Sequence, residues 1–281
     1  MSCDLHIHSV FSDGSFTPTE LIRMSVELGL SAVALSDHNT VDGLPEFLAA
    51  AEGKPIEAIP ATEFSADYNG TELHLLGLYM PKAYYSQVTE LLAETLLLKE
   101  QSNLELIESL RKAGYPLDYA ALKASTPKGK INRAHIAAEM TRLGYTESVR
   151  EALKTVLSPK GGHYNVPKRL TIWEILDFVC SIGAVPVLAH PYLNLSHAGL
   201  QEFLPLGKAK GLVGMECYYS RYDQKATEDS LLLAEQFGLL PSGGSDFHGA
   251  IKPDICLGTG KGDLCVPDEL VHGFRTFRKE Q

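Results

Sequence analysis

His6-Ile7-His8-Ser9-Val10-Phe11-Ser12-Asp13-Gly14 decides how the chain is to be read. Leu5 to His8 is apolar enough for a buried strand, and Ser12-Asp13-Gly14 is a turn sequence. In a strand, residues i and i+2 point to one face, so His6 and His8 can reach one ion while Ile7 packs behind them. The turn then carries Asp13 over the strand end, either as an Asx-turn carboxylate or as a further ligand. A lone HxH is more often ordinary core or surface, so its meaning depends on what the other strands end in.

Outward from that stretch, short apolar runs alternate with helical patterns, which predicts repeated βα units and a largely parallel sheet. Strands are expected at Asp4 to His8, Ala32 to Ser36, Ile56 to Thr62, Leu73 to Tyr79, Val185 to Ala189, Leu212 to Cys217 and Leu239 to Gly243. Seven such strands favour a barrel over a two-layer sandwich. Between Pro81 and Pro167 the pattern turns helical, over Gln87 to Ala113, Ile131 to Leu143 and Thr146 to Val156. The expected organisation is a barrel of residues 1–80 and 167–281 with a helical insertion at 81–166.

The chemistry-bearing residues fall near the expected strand ends, where barrel folds build their sites. Ser36-Asp37-His38-Asn39 follows the second strand, and Asp37 could cap the next segment or orient His38. The third strand runs into Glu63, an acid in apolar company whose burial needs a partner. His74 interrupts the apolar fourth strand, either as a satisfied core histidine or as a ligand. Leu188-Ala189-His190-Pro191 and Gly243-Gly244-Ser245-Asp246-Phe247-His248 complete the set. Nine oxygen- or nitrogen-donor side chains at corresponding positions are more economically one metal site than nine accidents.

Together, HIHSVFSDG, SDHNTVDG, ATEFSA followed by LHLLGL, LAHP and GSDFHG resemble the PHP (polymerase and histidinol phosphatase) family. The resemblance covers nearly the whole chain and is closest to the stand-alone bacterial phosphoesterase branch, which includes 3′,5′-nucleoside bisphosphate phosphatases. It implies an α/β fold, a distorted seven-stranded (β/α)7 barrel with a helical insertion after the fourth strand, and three divalent ions. Carried over by motif, His6, His8, Glu63 and Asp246 would hold one ion, and Glu63, His74 and His190 a second, with Glu63 bridging. Asp13, His38 and His248 would hold the third. A donor set of nitrogen and oxygen suits Mn²⁺, Zn²⁺ or Fe²⁺.

The implied activity is metal-dependent hydrolysis of a small phosphomonoester, first the 3′-phosphate of a 3′,5′-nucleoside bisphosphate, with short RNA 5′ ends as related substrates. Catalytic work would fall to Asp13, Glu63 and His248. Asp13, His38, Lys99, Asn132, Arg133 and His248 would contact substrate, Arg133 by a bidentate grip on phosphate. Around Lys99 the chain lacks arginines with which relatives hold a second phosphate; Lys160, Lys168 and Arg221 are the cations considered in their place. Histidinol-phosphate hydrolysis, amide or ester hydrolysis by an amidohydrolase-like barrel, and a binding module without turnover are the competing readings.

Lys and Arg total 25 against 35 Asp and Glu, a net charge of −10. Such a surface is expected to repel membranes and duplex nucleic acid, so an anionic substrate needs a local attraction, which bound cations supply. The family resemblance implies a small phosphorylated compound of nucleotide type as the partner. Five cysteines without a CxxC pair indicate free thiols, and the absence of a basic-then-apolar leader pattern makes the cytoplasm the expected location.

Overall fold

The computed structural model describes residues 2–126 and 128–279. The strands are β1 (Ser2–Ile7), β2 (Ala32–Leu35), β3 (Glu57–Tyr68), β4 (Thr71–Leu78), β5 (Val185–Ala189), β6 (Gly214–Tyr219), β7 (Leu240–Gly244) and the two-residue β8 (Val266–Pro267). They form one sheet in the order β7-β6-β5-β4-β3-β2-β1-β8. Beyond β7 the chain returns to β1, where the Asp246 N–H donates to the His6 carbonyl at 2.8 Å and the His8 N–H to the Phe247 carbonyl at 2.9 Å. The result is a nearly closed barrel. The seven expected strands are present, and β8 adds a short antiparallel pairing to β1.

The sheet is less parallel than the sequence pattern implies. β4 is antiparallel to both β3 and β5. The cause is a hairpin at Asn69-Gly70, both residues at positive φ (52° and 81°), as a two-residue primed turn requires. β3 therefore continues past Thr62 to Tyr68, and Glu63 and His74 stand within strands, not at their ends.

Alternation along the strands divides two apolar layers. Leu5, Ala32, Ala34, Ile59, Ala61, Leu76, Leu78, Val185 and Val187 fill the barrel interior. Val33, Leu35, Phe64, Leu75 and Leu188 face outward into a larger cluster. Helices α1 (Pro18–Glu27), α2 (Leu44–Ala51), α7 (Ile172–Ser181), α8 (His197–Ala209), α9 (Gln224–Gln236) and α10 (Glu269–Lys279) accompany the strands. Capping boxes at Thr17/Glu20 and Thr171/Glu174 start α1 and α7, satisfying otherwise orphaned N–H groups.

The segment between β4 and β5 holds α3 (Tyr85–Lys112), α4 (Tyr119–Ser125), α5 (Arg133–Arg142) and α6 (Val149–Lys154). Val88 and Leu92 on α3 belong to the barrel's outer cluster, whereas Leu106, Ile107 and Leu110 pack with Ile136, Met140 and Leu157 in a core of their own. At 1.5 Å per residue, the 28 residues of α3 make a helix roughly 40 Å long that contributes to both cores. Among the described residues, no helix is long and apolar enough to cross a membrane.

Candidate metal centre

Side chains continuing the interior face of β3 and β4 beyond the apolar plug are Glu63 and His74. On β1 a register irregularity between Asp4 and Ile7 re-aims the chain, so Ile7 packs outside with the helices while His6 and His8 face Glu63. Close approach of β1 and β7 needs Gly244: a Cβ there would lie 2.4 Å from the His6 Cβ. His190 and Asp246 occupy positive-φ turns (28° and 57°) directly after β5 and β7, which turn their side chains over the barrel mouth.

Glu63, fully buried, is the hub. Its Oε1 lies 2.7 Å from His74 Nδ1 and 3.0 Å from His190 Nε2. Its Oε2 lies 3.2 Å from His6 Nε2, 3.3 Å from His8 Nε2 and 3.0 Å from His38 Nδ1. Asp246 Oδ1 approaches His8 Nε2 and His248 Nδ1 at 3.3 and 3.4 Å, and Asp13 Oδ1 is 3.4 Å from His248 Nε2. All nine candidate donors are brought together.

Donor atoms converge in four groups: His8, Asp13, His38 and His248; His6, Glu63 and His190; His6, His8 and Asp246; and His38, Glu63 and His74. The grouping differs from the one carried over by motif: His8 joins the Asp13, His38 and His248 set, Glu63 stands outside the His6, His8 and Asp246 group, and His190 and His74 meet Glu63 in separate groups, with His6 and with His38. Seven of these atoms are buried with no hydrogen-bond partner among the described residues: His6 Nε2, both His8 nitrogens, Asp13 Oδ1, His38 Nδ1, Glu63 Oε2 and His190 Nδ1. An unsatisfied buried polar atom costs about 1–3 kcal/mol. Seven in one place fit a divalent-cation cluster, whose coordination satisfies lone pairs that no protein donor meets.

Protonation trends divide across the cluster: burial lowers His6, but Glu216 and Glu63 outweigh it and push the ring well above the usual imidazole value. Burial pushes Glu63 upward, but His38, His6 and His74 outweigh it and hold the carboxyl well below its usual range. Burial, with His248 and His38 adding to it, keeps His8 well below the usual imidazole value, and burial lowers His38 to about 4. Burial also disfavours charge on His74, yet Glu63 and Glu72 raise it to about 9. Metal binding must displace that proton.

Facing the cluster is a cavity of about 210 Å³ lined by Asp13, His38, His74 and His248 on the barrel side and by Lys99, Asn132, Arg133 and Arg169 on the other. All six side chains expected to contact substrate line it. Asn132 caps α5 and donates from Nδ2 to Asp13 Oδ2 at 2.7 Å, joining insertion to barrel. Arg133 and Arg169 share one oxygen of Glu72, at 3.2 and 2.9 Å, and Arg133 lies over the Tyr164 ring. Burial lowers the Lys99 ammonium below its usual value, against the pull of Asp13 and Glu72.

Arg169, and Glu72 which aims it, are absent from the sequence-derived set. Lys160 and Lys168, weighed there, are exposed, and Arg221 faces Asp254 at 3.6 Å. Asp37 does not orient His38: it accepts from the Ser9 N–H and from the Ser9 and Ser12 hydroxyls, pinning the loop that carries Asp13. His135 closes the Asn132 cap, His163 meets Ser109, and His197 meets Tyr192.

The PHP domain model matches residues 4–162, more than half of the sequence. The chain belongs to the PHP domain family. A 5′-3′ exoribonuclease of Haemophilus influenzae is 31% identical over 87% of this chain and 89% of its own. A 3′,5′-nucleoside bisphosphate phosphatase of Chromobacterium violaceum is 28% identical over 87% of this chain and 86% of its own. A crystal structure assigned as a metal-dependent phosphoesterase of Bifidobacterium adolescentis superimposes with a TM-score of 0.84 at 28% identity, covering 96% of this chain and 94% of that one. This PHP protein is a metal-dependent phosphoesterase, a hydrolase of phosphate esters.

Proposed function

We propose that the chain removes the 3′-phosphate from 3′,5′-nucleoside bisphosphates, using a cluster of three divalent cations held by His6, His8, Asp13, His38, Glu63, His74, His190, Asp246 and His248. The observation that carries the substrate is the two-sided cavity: metal donors on one wall and three cations, Lys99, Arg133 and Arg169, on the other. Glu72 neutralises one of the three, leaving a formal excess of about two positive charges opposite the cluster. That excess suits a second phosphate dianion on the same small molecule, and the likeness to a bisphosphate phosphatase supports it.

Mn²⁺, Zn²⁺ or Fe²⁺ in this donor set would polarise the phosphoryl oxygens and make water nucleophilic near neutral pH. The protein's own part is positioning. Arg133 and Arg169, pre-aimed by Glu72, grip the distal phosphate and orient the nucleoside, so reach and not strength selects the scissile ester. Asn132 holds one Asp13 oxygen, leaving Oδ1 facing His248 at 3.4 Å. Asp13 and His248, lining the cavity, would hold the cation nearest the phosphoryl group, where negative charge builds as the 3′-oxygen departs. Selection of the leaving group rests with the 81–166 insertion, which supplies Lys99, Asn132 and Arg133.

Release of nucleotides from short RNA 5′ ends is a second reading, favoured by the exoribonuclease relative; it breaks the same 3′-oxygen-to-phosphorus bond. Metal-reconstituted protein assayed on a 3′,5′-nucleoside bisphosphate, a 3′-mononucleotide, a 5′-phosphorylated oligoribonucleotide, histidinol phosphate and an amide panel tests the proposal. The bisphosphate is expected to give the highest kcat/KM. Equal turnover of the 3′-mononucleotide would refute a role for the second phosphate.

A further inference from the structure

Strand β6 supplies none of the nine donors, yet three of them, His6, His190 and Asp246, are bonded to its side chains. Its register against β7 breaks between Glu216 and Tyr218, a bulge that turns Glu216 and Tyr219 toward the same mouth although they lie three residues apart. Tyr219 donates its hydroxyl to Asp246 Oδ2 at 2.8 Å. Glu216 is fully buried, and both its oxygens are used: Oε1 lies 2.9 Å from His6 Nδ1, and Oε2 accepts the His190 N–H at 2.6 Å.

We propose that Glu216 is a positioning residue of the metal centre, setting one ligand through its ring and another through its backbone. A carboxylate only accepts, so the His6 proton sits on Nδ1 and the Nε2 lone pair is left to the cluster. That Nε2 is the atom found buried without a hydrogen-bond partner, 3.2 Å from Glu63. On the other side, His190 is a non-glycine residue at φ 28°, ψ 54°, a backbone geometry that persists only when its surroundings hold it. The Glu216 acceptor on its N–H does so, and the ring then meets Glu63 at 3.0 Å.

The side chain cannot be exchanged conservatively. Two donors converge on it, from strand β1 and from the turn after β5, and each needs an acceptor. Glutamine offers one acceptor and one NH₂, which would oppose an N–H; aspartate is one methylene short. A side chain that positions metal ligands in this way is worth about 10- to 100-fold in metal affinity.

This inference rests on the cluster's being a metal centre. Its test is Mn²⁺ titration of metal-stripped wild type, Glu216→Gln and Phe274→Leu, with free Mn²⁺ read by electron paramagnetic resonance and thermal unfolding recorded on each. Phe274, on α10, is buried in the barrel's interior apolar cluster and belongs to none of the four donor groups, so Phe274→Leu should lower stability and keep wild-type Mn²⁺ affinity. Glu216→Gln should bind at least one Mn²⁺ about 10- to 100-fold more weakly. A wild-type isotherm for Glu216→Gln overturns the proposal. Wild type that binds no Mn²⁺ overturns the metal-centre reading and this inference together, a distinct result. Should Glu216→Gln fail to fold, ¹¹³Cd²⁺-loaded, ¹⁵N-histidine-labelled wild type decides. Cadmium coupling at His6 Nε2 with a proton on Nδ1 is expected, and coupling at Nδ1 overturns the assignment.

Discussion

At the scale of single residues, Glu63 and Arg169 have different parts in the proposed chemistry, and their variants should fail differently. Glu63→Gln keeps the size of a side chain that meets five imidazoles but removes the charge they share. Phosphate release is expected to fall by at least about 100-fold, with a parallel loss of bound metal by elemental analysis. Arg169→Ala should leave metal content intact. It should lower kcat/KM for the bisphosphate about 10- to 100-fold, the equivalent of a charge-assisted hydrogen bond, while a 3′-mononucleotide is hardly affected. Equal losses on both substrates would remove Arg169 from the distal-phosphate site. The nine converged side chains stand out in the sequence through period-two spacing, a turn signal or, for Glu63 and His74, a polar break in an apolar run. Arg169 and Glu216 do not: Arg169 acquires meaning only beside Glu72, 97 residues away, and Glu216 only beside His6, 210 residues away.

At the scale of elements, the strands were readable from apolar runs but their directions were not, because alternation is the same in parallel and antiparallel pairs. The one local clue to the reversal of β4 is Asn69-Gly70, a hairpin signal inside Tyr68-Asn69-Gly70-Thr71. It matters, since the antiparallel pairing sets Ser65 opposite His74 and brings His74 onto the face of Glu63. The bulges in β1 and β6 also escaped, for nothing in an apolar run marks where register slips. Gly70→Ala meets open space but keeps φ at +81°, so urea unfolding should show a cost of about 1–2 kcal/mol with activity retained. Gly244→Ala drives a Cβ into the His6 backbone and side chain, and should cost more stability than Gly70→Ala and lower metal affinity as well. If both variants behaved alike, close packing of β7 on β1 would not be what holds His6 in place.

At the scale of the whole molecule, a chain of net charge −10 places Lys99, Arg133 and Arg169 together in one cavity between barrel and insertion. Two cores share α3: the converged histidines and carboxylates stand on the barrel, while Lys99 and Arg133 line the cavity from the insertion. Occupation of the cluster should stabilise the fold, by about 2.7 kcal/mol per site at a hundredfold excess over Kd, seen as a rise of several degrees in Tm on adding Mn²⁺. The central claim, that the converged histidines and carboxylates hydrolyse phosphoesters through bound cations, is tested most directly by measuring phosphate release and bound metal in the same samples during stepwise chelation and Mn²⁺ reconstitution. Activity on a 3′,5′-nucleoside bisphosphate is predicted to track metal content, vanishing when the chain is stripped and returning when it is reloaded. Full activity in chelated, metal-free protein would contradict the account.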